Sequence, residues 1–269
     1  MKLAFSTLGC PEWSLDEIAK NGKRMGFQGV EIRGILGNME ADSIPEFFPE
    51  NREATLQTLK EHGLTITDFA SSISFHDPSQ QEKMEKEGRE AIALCAAMHI
   101  PAIRVFGDQV EKADTVAGEV NRIVKGISWL CQEAKGTQVS IWLEVHGQIN
   151  TAPRVLKIAE KVASDRFGII WDVEHTDATY GNDFLSFYRP VRHLIRHVHI
   201  KDHVRLPDGG KQLCLVGKGD LKLKEMIAQM EQDGYQGYYS LEWEKKWHPE
   251  LEEPEVAFQS YADWMRSLS

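Results

Sequence analysis

Residues 138–147 read Gln-Val-Ser-Ile-Trp-Leu-Glu-Val-His-Gly, and their alternation decides the fold. Ile141, Leu143 and Val145 fall on one side of an extended chain; Trp142, Glu144 and His146 fall on the other. An apolar side packed on helices leaves the polar side facing inward. Glu144 and His146 then point into the structure near the C-terminal end of the strand. Residues 167–173, 195–202 and 238–244 behave in the same way. The first ends on Asp172, with His175 three residues on in a loop. The second sets His197, His199 and Lys201 on one face, against Val198 and Ile200. The third sets Ser240, Glu242 and Glu244 against Leu241 and Trp243.

Working outward, residues 2–7, 29–33, 64–70 and 102–107 are further β-rich runs bounded by Gly, Pro or polar clusters. Amphipathic runs lie between them. Residues 14–26 open with Ser14 and Glu17, a capping-box pair, and stop at Gly26; residues 51–63 stop at Gly63. Residues 80–99, 114–135, 151–163, 221–233 and 254–268 complete the set, with 183–191 as a shorter helix. Eight strands alternating with about eight helices predict a single-domain (β/α)8 barrel over residues 1–269, near the usual size of about 250 residues. A doubly wound open sheet is the runner-up. It calls for a glycine-rich turn after the first strand, and Thr7-Leu8-Gly9-Cys10-Pro11 does not supply one.

Composition narrows the function. The formal net charge is −10, so duplex nucleic acid, whose phosphates need a basic footprint, is a poor partner. No apolar run approaches the roughly 20 residues of a membrane span. The N-terminus reads as a strand, not a signal peptide. Cys10, Cys95, Cys131 and Cys214 form no CxxC pair and read as free thiols of a reducing, cytoplasmic compartment.

In a barrel, active sites sit at the C-terminal ends of the strands. Four consecutive strands end on Glu144, Asp172, His199 and Glu242, which predicts convergence above one half of the barrel. Any one of them alone reads as a salt-bridge partner; all four in succession are harder to dismiss. Three buried carboxylates with no counter-charge repel and take up protons, and a divalent cation removes that problem. Mixed carboxylate and imidazole ligation suits one Mn²⁺, Co²⁺, Zn²⁺ or Mg²⁺ ion. For His197 a structural hydrogen bond is expected. Lys201 and Asp202 read equally as a plain ion pair. Glu31, Arg33, His76 and Arg104 are inward or loop positions of the first half, where structural ion pairs are common. Trp13, Phe75, Phe106 and Trp247 are candidates for a pocket wall.

The stretches Leu143-Glu144-Val145-His146-Gly147, Trp171-Asp172-Val173-Glu174-His175, His197-Val198-His199-Ile200-Lys201-Asp202 and Leu241-Glu242-Trp243-Glu244 carry a resemblance. Their order and spacing resemble the xylose isomerase-like barrels, the sugar phosphate isomerase/epimerase group, over essentially the whole chain. The resemblance implies one divalent metal on Glu144, Asp172, His199 and Glu242. It implies substrate contacts from His175 and Arg205. It also implies enediolate chemistry on a small sugar, polyol or keto acid. Glu144 and Glu242 are then the proton-moving carboxylates. His146 and Lys201 join His175 and Arg205 as substrate-binding candidates, with Lys201 and Arg205 suited to an anionic substrate group.

Isomerase or epimerase comes first and a dehydratase of the inosose or dehydroshikimate type second. Asn150 stands where the epimerases of this group carry a Glu that helps hold the sugar. His146 resembles the dehydratase and general branches instead. A non-catalytic ligand-binding barrel keeps the fold but usually loses a ligand, and here all four are present. A nucleic-acid enzyme of the endonuclease IV type needs more histidines and a different charge. A homo-oligomer is left open.

Overall fold

A computed structural model describes residues 1–108 and 116–268. The eight barrel strands are β1 (Lys2–Ser6), β2 (Gly29–Ile32), β3 (Thr65–Ser74), β4 (Ala102–Phe106), β5 (Ser140–Glu144), β6 (Phe167–Asp172), β7 (Ile195–Ile200) and β10 (Tyr238–Leu241). They form a closed barrel in the order β1-β10-β7-β6-β5-β4-β3-β2. The fold is the TIM barrel that the alternation predicts, not the doubly wound sheet. Its helices are α1 (Leu15–Met25), α2 (Arg52–Glu61), α3 (Gln81–Ala97), α4 (Val116–Glu133), α5 (Ala152–Val162), α6 (Val173–Tyr180), α7 (Phe184–Val191), α8 (Leu223–Gln232) and α9 (Pro254–Arg266). The helix expected from residue 114 is present from Val116; its first two residues lie outside the described residues.

The chain gathers into two compact units. The first comprises Met1–Met39, Ile44–Thr67 and His197–Ser269. Its outer core is aromatic. Phe5 packs edge-on to Phe27 at 4.8 Å and tilted to Phe258 at 4.9 Å, while Phe27 stacks on Tyr261 at 6.1 Å. α1 begins as its sequence predicts: Ser14 caps Glu17, Glu17 caps Ser14, and the helix closes on Gly26 at φ 86°. The second unit comprises Glu40–Ser43 and Asp68–Arg196. Its strands β4, β5 and β6 pair in parallel, with Phe106 beside Glu144 and Glu144 beside Ile170. Outside them Trp171 stacks on Tyr188 at 5.4 Å and donates its indole N–H to Thr176 at 3.1 Å.

β3 runs on to Ser74 where the sequence predicts an end at residue 70, and β10 stops at Leu241, so that Glu242 and Glu244 lie just past it. Two larger departures adjoin candidate site residues. The run expected as one strand over 195–202 stops at Ile200. Asp202 instead begins an antiparallel hairpin, β8 (Asp202–Arg205) with β9 (Lys211–Cys214). The cause is the Asp202 carboxylate. It accepts the backbone N–H groups of His203 at 3.0 Å, Gly217 and Gly219 at 2.9 Å, and Leu221 at 3.3 Å. One buried side chain thereby ties down the segment returning from the hairpin. The second departure is α6, a helix where a loop was expected. Asp172 caps it by accepting from Glu174 N at 2.8 Å and His175 N at 3.2 Å.

Gly219 is required by this hairpin. A Cβ there would lie 2.2 Å from Asp202 Oδ1 and 2.4 Å from the His203 carbonyl oxygen. We expect Gly219→Ala to destabilise the protein by about 1–3 kcal/mol, since the carbonyl it meets belongs to the backbone. A lowered urea midpoint at unchanged m-value checks this; an unchanged midpoint contradicts it.

Candidate metal centre

In the first unit, β7 presents His197 and His199, and Lys201 follows directly after its last residue, all three buried. Glu31 from β2 meets both imidazoles. Its Oε2 lies 2.6 Å from His199 Nε2 and 3.3 Å from His197 Nε2. Burial pushes the Glu31 carboxyl upward, but the two histidines outweigh it and hold the group well below the usual carboxylate range. The other ring nitrogen of His199, Nδ1, lies 3.4 Å from Glu242 Oε2. Lys201 Nζ sits 2.6 Å from Glu242 Oε2 and 2.6 Å from Glu244 Oε1. The Lys201–Asp202 ion pair is therefore corrected. Lys201 serves the two glutamates, and Asp202 serves backbone amides.

In the second unit, Glu144 ends β5 and is buried. Arg104 on β4 donates from Nη1 to Glu144 Oε2 at 2.8 Å, both side chains being 2% exposed. The same guanidinium donates to the carbonyls of Ser71 at 2.9 Å and Ala70 at 3.3 Å, and lies 4.2 Å over the Phe106 ring. Two residues past Glu144, His146 Nδ1 meets Asp108 Oδ1 at 2.6 Å, and its ring stands edge-on to His175 at 4.1 Å. His175 lies in the first turn of α6, not in a loop, with Nε2 3.8 Å from Asp172 Oδ2. Asn150 donates to the His175 carbonyl at 3.2 Å, a structural task.

Glu144, Asp172, His199 and Glu242 are all buried. Each offers one ligand atom, and the four atoms lie within 4.8 Å of one another. Glu31, His197 and His199 form a second such group. The expectation that the carboxylates lack counter-charge is corrected: Arg104 stands on Glu144 and Lys201 on Glu242. Arg205 does not join the buried group. It is an exposed residue at the end of β8, its N–H donating to Asp220 Oδ2 at 2.7 Å. Trp247 is likewise exposed, whereas Trp13 is core.

Sequence reading left Asp108 out altogether, and no pattern marks it. Its signal is conformational. It sits at φ 45°, a strained value for a non-glycine residue, and its carbonyl accepts from Gln148 N at 3.0 Å. Glu31 and Arg104 are readable in the sequence as inward candidates, with no local signal for their partners.

The xylose isomerase-like TIM barrel family matches this chain over residues 19–268. The chain belongs to that family. Fructoselysine 3-epimerase of Escherichia coli O157:H7 is 20% identical over 255 residues, 90% of each chain. Inosose isomerase of Halalkalibacterium halodurans is 24% identical over 234 residues, 82% of this chain and 79% of its own. Among solved structures, the IOLI protein with a binding zinc atom superposes with a TM-score of 0.81, at 18% identity over 100% of this chain and 98% of its own. Relatives named as epimerases and isomerases thus share the family with this barrel, and the barrel carries a buried cluster of metal-ligating type.

The Asp108–His146 contact has a measurable consequence. Burial lowers the His146 pKa, but the Asp108 hydrogen bond and the charges of Glu144, Asp108 and Asp172 raise it further, for a net upward shift. A histidine raised in this way contributes stability that is full below its unfolded pKa of about 6.5 and is lost as pH rises through the folded value. We expect Asp108→Asn to lower the His146 pKa, and to cost more stability at pH 6 than at pH 9. Imidazole proton titration by NMR, with unfolding at both pH values, checks this; an unmoved His146 titration contradicts it.

Proposed function

We propose that residues 1–269 form one barrel domain of a divalent-metal-dependent isomerase or epimerase acting on a small sugar, polyol or keto acid. The observation carrying this reading is the convergence of one ligand atom each from Glu144, Asp172, His199 and Glu242 within 4.8 Å. The donor set fits a divalent ion: three carboxylates and one imidazole, with two of the carboxylates already held by Arg104 and Lys201. That composition suits Mn²⁺, Co²⁺, Zn²⁺ or Mg²⁺. A bound zinc atom in the IOLI protein and the epimerase and isomerase names of relatives support it.

When bound, such an ion supplies Lewis acidity that polarises a substrate carbonyl and steadies an enediolate. The chain's own residues do the rest. On this reading Glu144 and Glu242 remove and return the proton at the carbon beside that carbonyl. Arg104 and Lys201 hold one oxygen of each glutamate and so fix the direction from which it reaches that proton. His146, His175 and Lys201 hold substrate oxygens. Arg205, on the exposed hairpin, receives a carboxylate or phosphate of the substrate. Four free cysteines suit a reducing, cytoplasmic setting.

One observation favours a second reading, loss of water. His146, held by Asp108 at 2.6 Å and with its pKa shifted upward, is placed to protonate a leaving hydroxyl. Reaction in deuterated water separates the two. An isomerase or epimerase gives a product of the substrate's formula with deuterium at carbon; loss of one water with a new conjugated absorbance establishes the dehydratase. With metal supplied and ketoses, inososes, hydroxypyruvate and dehydroshikimate screened, no turnover and no exchange at carbon would contradict both. We expect Glu242→Gln to lower kcat at least about 100-fold, the lower range for losing a proton-transfer group. We expect Arg205→Ala to raise KM with metal content unchanged. Wild-type kinetics in the Arg205 variant would make that residue a surface charge only.

A further inference from the structure

One buried carboxylate has no part in the chemistry above. Glu31 lies in β2 between Val30 and Ile32, which face the outer core, and it turns inward beside Ser6. Its Oε2 takes both imidazoles of β7, His199 at 2.6 Å and His197 at 3.3 Å. The two ring nitrogens of His199 therefore face two different carboxylates: Nε2 faces Glu31 at hydrogen-bond distance, and Nδ1 faces Glu242 at 3.4 Å. A neutral imidazole carries one N–H and one lone pair. The shorter contact claims the N–H. The lone pair is then on Nδ1, on the side of Glu242.

We propose that Glu31 is a positioning residue that fixes His199 in the Nε2–H tautomer and so presents Nδ1 as the metal donor. The proposal rests on the four-ligand reading, and it adds which nitrogen binds and what aims it. A carboxylate behind a ligating histidine restricts ring orientation and raises ligand basicity. Here the carboxylate is anchored on a different strand from the histidine, so the ring is held from outside its own backbone. The competing possibility is that Glu31, His197 and His199 hold an ion themselves. It would require His199 Nε2 to give up its 2.6 Å partner.

The test begins on the metal-free wild-type protein with ¹⁵N-labelled histidine. Long-range ¹H–¹⁵N correlation should show His199 protonated on Nε2 and bare on Nδ1; the opposite tautomer overturns the proposal. Metal affinity then follows by calorimetric titration with Mn²⁺ or Zn²⁺. Glu31→Gln, which keeps an acceptor oxygen at the same reach, should weaken binding about 10-fold. Glu31→Leu should weaken it about 100-fold, the range seen when such outer partners are removed. A folded Leu variant with unchanged affinity overturns the proposal. So does a wild-type stoichiometry of two ions that falls to one in that variant. Failure of the four-ligand reading looks different: Glu144→Gln and Glu242→Gln would then leave ion binding untouched, while the tautomer of His199 would still report on Glu31.

Discussion

Burying carboxylates at the ends of barrel strands is the constraint on which this structure turns. An ionised carboxylate taken out of water costs several kcal/mol unless it is paired and hydrogen-bonded. Glu31, Glu144, Asp172 and Glu242 are all buried. Each has a different solution within reach. Glu31 faces two imidazoles, Glu144 a guanidinium, Glu242 an ammonium, and Asp172 the N-terminal amides of a helix. Glu144 takes its partner from a neighbouring strand and Asp172 from the chain immediately after its own, whereas Glu31 on β2 reaches β7, with β1 and β10 between them in the strand order. The strand order makes the Arg104–Glu144 pairing local, since β4 and β5 lie side by side.

Those partners also limit what each carboxylate can do. Arg104 occupies one oxygen of Glu144 and is itself fixed by two carbonyls of the β3 strand, so the glutamate cannot swing freely. Lys201 lies between Glu242 and Glu244, and the next residue, Asp202, is locked by four backbone amides. The hairpin after β7 therefore bears on the site through adjacent residues of one chain segment. Rigid support of this kind is what precise metal and substrate geometry requires. His146 and Asp108 are more open, with side chains 35% and 24% exposed.

Much of this was legible in the sequence because period-two alternation carries both fold and site. Ile141 and Leu143 set the outer face of β5, with Val145 just past its end, and that alone turned Glu144 inward. The same logic placed His197, His199 and Lys201 together. It failed where a side chain, not a period, decides the backbone. Asp202 ends a strand by gathering amides from residues 15 to 19 positions away, a long-range choice that no local pattern records. Asp172 starts a helix whose sequence, Val-Glu-His-Thr-Asp-Ala-Thr-Tyr, has little amphipathic character; the capping aspartate was the available signal. The counter-charges escaped for a related reason. Arg104 and Lys201 are visible as residues, but their partners are set by which strands neighbour each other around the barrel.

The central claim is that Glu144, Asp172, His199 and Glu242 together hold one divalent ion. Anomalous diffraction from crystals grown with Mn²⁺ tests it most directly. The account predicts a single strong anomalous peak about 2.0–2.3 Å from one atom of each of the four side chains, with His199 contributing Nδ1 and Glu31 outside the coordination sphere. A peak centred among Glu31, His197 and His199, or no ordered ion at saturating Mn²⁺, would contradict it.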